Sequence, residues 1–189
     1  MWMVQTIAAT LVGVLLGSTA LHVLRSAALR RDVGGELSHA AMAAGMAAMI
    51  APVGQAVPGA IWLGLFAVCG AWSAGRFLRQ WGTEARHDAG YHVLAALAMI
   101  FMLVLGSNHH AAVPMRPDLP AGIVLAVVSI PALLFAGYFL WHGLRCADRL
   151  VEGRAAVEES QSVLLTPPVA AASHLVMAIA MAGMLLGML

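Results

Sequence analysis

SHAAMAAGMAAM at residues 38–49 returns as SHLVMAIAMAGM at 173–184, so His-x-x-Met-x-x-x-Met-x-x-Met is written twice with identical spacing. A third copy, YHVLAALAMIFM at 91–102, keeps His92, Met99 and Met102 at the same offsets and has Ala95 where the others carry Met42 and Met177. At about 100° per residue, these offsets fall within roughly a quarter of a helix circumference. Each segment is therefore expected to be a helix bearing one stripe of thioethers headed by an imidazole. Both groups are uncharged ligands, so an apolar surrounding can hold them without the penalty of a buried carboxylate.

The rest of the composition says where such helices reside. Of 189 residues, 61% are hydrophobic and 10% charged, with a mean hydropathy of +0.87, too apolar for a soluble domain of this size. An integral protein of the cell membrane is expected, with the lipid bilayer as its main surrounding. Apolar runs of spanning length lie at 3–24, 59–78, 89–106, 120–141 and 168–188. The run at 37–51 is shorter, and roughly fifteen residues rise only about 22 Å as a helix. It must take in Gly34 to Glu36, sit in thinned bilayer or be partly re-entrant. A full crossing is expected, because the three stripe helices then run parallel.

All ten basic residues are arginines. Arg25, Arg30 and Arg31 follow the first helix, Arg76, Arg79 and Arg86 the third, and Arg145, Arg149 and Arg154 the fifth, which leaves only Arg116 in an opposite-side loop. The positive-inside rule then places those three links in the cytoplasm and both termini outside. Eight of the nine acidic residues share the same links, so the net charge of +1 names no partner and nucleic-acid binding is not expected. Cys69 falls within the third helix and Cys146 at the inner end of the fifth, which offers neither a structural disulfide nor a Cys-x-x-Cys metal motif. The N-terminal run lacks a basic leader and is followed by arginines, as a retained helix would be rather than a cleaved signal.

The fold class that follows is an all-α membrane protein: one six-helix domain over 1–189, built as three helical hairpins at about 1–51, 58–106 and 119–189 with a pseudo-threefold internal repeat. His22-x-x-Arg25 and His142-x-x-Arg145 end the first and fifth helices, and Ser73-x-x-Arg76 takes the same place in the third. Pro167 and Pro168 are expected to open the last helix, where a missing N–H costs least, and Pro131 to bend the fifth.

If the stripe helices face a common axis, His39, His92 and His174 form a trigonal cluster near the inner surface. Layers of Met42 with Met177, then Met46, Met99 and Met181, then Met49, Met102 and Met184 follow at about 4.5, 10.5 and 15 Å, with Met188 at about 21 Å. Two or three thioethers per layer suit Cu(I), whereas Zn(II) prefers thiolate, imidazole or carboxylate. Glu36 and Asp88 lie one turn before His39 and His92 and could orient those imidazoles; near a helix N-terminus they equally favour the macrodipole. On the outer side His109, His110 and Met115 could capture or release an ion, or be an ordinary polar loop.

Blander accounts exist for each feature. A methionine stripe on an alanine-rich helix also serves as adaptable packing. His22, His87 and His142, beside arginines, read as polar anchors at the membrane interface, and Cys69 as a small buried apolar residue. The repetition of the His-headed stripe at one depth is what favours ligands over packing.

The trio SHAAMAAGMAAMIAP, YHVLAALAMIFMLVL and ASHLVMAIAMAGML resembles an actinobacterial family of multi-pass membrane proteins catalogued as a domain of unknown function, along nearly the whole chain. Lysine-free, alanine-rich usage fits such a source. The resemblance implies the architecture and a metal role, but no reaction. The leading expectation is a protein that transports, relays or buffers Cu(I) between the second, fourth and sixth helices, with a copper chaperone or copper-dependent protein as partner and no catalysis. A haem-binding electron-transfer protein with His or Met axial ligands is the second, and a structural or assembly subunit without metal the third.

Overall fold

The computed structural model describes residues 2–29, 33–51, 57–79, 82–105, 121–153 and 167–189. Among them every regular element is helical: α1 (Trp2–Leu29), α2 (Val33–Ile50), α3 (Gly59–Arg79), α4 (Thr83–Leu105), the short α5 (Ala121–Val124), α6 (Ile130–Gly153) and α7 (Pro167–Leu186). Five stretches are long and apolar enough to cross a membrane: Gln5–Ala28, Gly59–Arg79, Arg86–Leu105, Ala126–Val151 and Val169–Leu186. α2 is not one of them. It does take in Gly34 to Glu36, and its 18 residues rise about 27 Å, but Glu36, His39 and its alanines dilute its hydropathy.

Two boundaries follow from proline chemistry. α7 starts at Pro167 with Pro168 next, positions whose amides have no intrahelical partner in any case. The fifth run is interrupted rather than simply bent. Leu125–Ser129 forms a π turn between α5 and α6, immediately before Pro131, whose missing N–H and ring exclude the ordinary bond to residue 127.

Contacts are densest within three sequence-adjacent pairs, α1 with α2, α3 with α4, and α6 with α7. Each outer helix also touches the inner helix of another pair: α3 meets α2, α6 meets α4, and α1 meets α7. Half of the apolar window of α4 is buried, against 17% for α1 and α3, so α4, α7 and the well-buried α2 form the inner group. The outer helices present leucine, valine and tryptophan outward, among them Leu16, Leu24, Trp72, Leu134 and Trp141.

The methionine stripes face inward. Met42, Met46, Met99, Met177 and Met181 are each at most 1% exposed, and Met102 is buried with them. Met49, Met184 and Met188 are partly buried against the same cluster. Leu15 of α1, Phe66 of α3 and Phe139 of α6 pack into it from the outer ring. Gly45 lets Phe66 of α3 pack against the backbone of α2: a Cβ there would lie 2.6 Å from Phe66 Cζ. At the matching offset the other stripes carry Ala98 and Ala180, so the three helices are not packed alike.

Candidate metal centre

The N-terminal halves of α2, α4 and α7 meet the C-terminal halves of α1 and α6 toward one end of the bundle, and five imidazoles gather there. His39 lies at the centre, with ring centroids 4.6 Å from His22, 3.8 Å from His92 and 4.2 Å from His174. His39, His92 and His174, the heads of the three stripes, are therefore brought together. Their Nε2 atoms surround Asp88, lying 3.8, 3.8 and 3.7 Å from its carboxylate oxygens. Such distances are too long for hydrogen bonds and of the span that an intervening ion bridges. His39 and His92 also contact each other through Nε2 at 2.7 Å, one nitrogen donating to the other.

Two expectations change. Glu36 does not orient His39. Its Oε2 lies 2.6 Å from Nδ1 of His22, and its Oε1 accepts from Arg25 Nε at 3.1 Å. A helical side chain leans toward its own N-terminus, which carries Glu36 away from His39 and onto α1. Asp88, expected to serve His92 alone, is shared among three rings.

His22 is not an interfacial anchor either, being 1% exposed. Ser173 Oγ donates to the Ala170 carbonyl at 2.8 Å, so at 2.9 Å it accepts from His22 Nε2. Both nitrogens of His22 thus face acceptors, and this ring positions its neighbours rather than offering a lone pair.

His142 belongs to the same assembly, stacked on Tyr91 at 4.2 Å. With Cys146 and His174 it forms one group whose possible ligand atoms lie within 4.8 Å of one another; His39, Asp88 and His174 form another. Nδ1 of His39, Nδ1 of His92 and Nε2 of His142 are buried without a hydrogen-bond partner, which is uncommon in a folded interior. His87 is exposed. His109, His110 and Met115 lie outside the described residues.

Sequence reasoning missed His22, His142 and Cys146 because none heads a stripe. The only available signal was the shared His-x-x-Arg ending of α1 and α6, which puts these histidines at the depth of the motif histidines. The bundle end can hold a metal ion through imidazole, carboxylate and thiol groups, and its donor set alone does not name the element. No curated protein and no solved structure matches the chain. The model of the family described as a domain of unknown function, DUF5134, matches residues 31–188, and the chain belongs to that family.

Proposed function

We propose that this protein binds a metal ion among His39, His92, His174 and Asp88 and passes or holds it along the methionine stripes, with Cu(I) as the cargo. One observation carries the reading: imidazole nitrogens from three helices surround a single carboxylate at the head of a buried methionine cluster. Asp88 offsets the charge of an arriving cation where imidazoles alone would leave it uncompensated. Beyond the chamber the path is thioether only, which favours a soft monovalent ion over Zn(II). Ligands of one small ion at about 2.0 Å and a trigonal angle stand roughly 3.4 Å apart. His39 and His92, now 2.7 Å apart at Nε2, must separate slightly on loading.

The cyclic order of helix contacts supports a pseudo-threefold repeat, and the arginine pattern supports a cell-membrane location with the histidine end cytoplasmic. A copper chaperone or copper-dependent protein at that face is the expected partner, and no catalysis is invoked. The contact between His39 and His92 leaves no room for a macrocycle between them, so the haem alternative gains no support from that pair.

Anaerobic titration of detergent-purified protein against a chelator tests this reading. Cu(I) or Ag(I) should compete effectively and fill more equivalents than Zn(II), because the imidazole and carboxylate groups of the chamber suit both ions whereas the thioether layers take only the soft one, and His39→Ala or His174→Ala should lose an equivalent with the fold retained. Equal stoichiometry for zinc would overturn the copper assignment, and unchanged stoichiometry in both variants would overturn the chamber.

A further inference from the structure

α6 carries His142 and Cys146 four residues apart, on one helical face, and α7 brings His174 opposite them. The possible ligand atoms of the three lie within 4.8 Å of one another. All three line a cavity of about 790 Å³ at the bundle end. Cys146 is buried and forms no disulfide, and the buried Nε2 of His142 has no hydrogen-bond partner. The His142 ring is held by stacking on Tyr91 at 4.2 Å and 21°, so its orientation is set before any ligand arrives. A thiol and two imidazoles with open space on one side make a three-ligand set with a free position, a different chemistry from the carboxylate-centred chamber.

We infer that His142, Cys146 and His174 form a second metal site, the loading site for a thiophilic ion, from which His174 hands the ion to the chamber. His174 belongs to both ligand groups, so its imidazole stands at the border of the two sites. On binding, the Cys146 thiol loses its proton to water in the cavity and the S–metal bond replaces the S–H bond. No change of oxidation state is involved. The hand-over rests on the chamber reading above; the loading site itself does not.

Anaerobic addition of Cu(I) to the full chain should produce the near-ultraviolet charge-transfer absorption of a copper thiolate. Cys146→Ser should abolish that band, His142→Ala and the size-conserving His142→Gln should weaken it severalfold, and Cys69→Ser should leave it unchanged. A wild-type protein without the band, or a band that survives Cys146→Ser, would overturn the site. His92→Ala and His92→Gln separate the two readings. Each should retain the band while losing one copper equivalent. Loss of the band in both overturns an independent loading site. A retained band with no lost equivalent leaves the loading site standing and removes the chamber.

Discussion

His22 and His39 stack in nearly parallel planes, yet they differ in kind because their nitrogens face different atoms. His22 is bound at both ends, to Glu36 and Ser173, while His39 turns Nε2 toward His92 and Asp88. Glu36 thus ties α1 to α2. At neutral pH Glu36→Gln should therefore be less stable by roughly 1–3 kcal/mol, readable as a lower midpoint in thermal unfolding followed by circular dichroism. The stripe-heading histidines were legible because a repeated spacing marks them. The partners of Glu36 were not, since one turn of sequence separation says which face a side chain shares but not which neighbouring helix it reaches.

At the scale of single helices, the stripes combine packing with ligand chemistry, and substitution can separate these roles. Leucine is close to methionine in volume, so changing Met46, Met99 and Met181 together should cost less than about 1.5 kcal/mol per site. Transfer of Cu(I) across proteoliposomes should nevertheless stop if these sulfurs form the path; a large loss of thermal stability would favour packing alone. Gly45 gives the opposite case. Phe66 is fully buried and leaves no room for a methyl group beside it, so Gly45→Ala should destabilise by about 1–3 kcal/mol, readable as a lower midpoint in thermal unfolding. Most helix positions could be read from hydropathy and proline signals, including the start of α7 at Pro167, but the end of α6 could not: the apolar run stops at 141, whereas the helix continues past Arg145 and Arg149 to Gly153. The π turn before Pro131 could not be anticipated, because a bend and a change of helical register are two answers to the same missing amide.

For the whole molecule, α2 decides the number of crossings. Its histidine sits with those of α4 and α7, and its length approaches the hydrocarbon thickness of about 30 Å, so we expect six crossings with both termini on one side. Reporter fusions at each end should then give the same compartment; opposite compartments would mean that α2 enters and leaves by one face. The three pairs and the gathering of stripe histidines were legible from repetition and arginine placement. The contribution of α1 and α6 to the centre was not, because it depends on which outer helix stands beside which inner one. The first two pairs supply only part of the proposed chamber, and its remaining imidazole, His174, comes from α7. On that reading a nascent chain emerging from the ribosome holds no complete chamber until α7 has joined the other helices, which keeps half-made protein from scavenging loose ions.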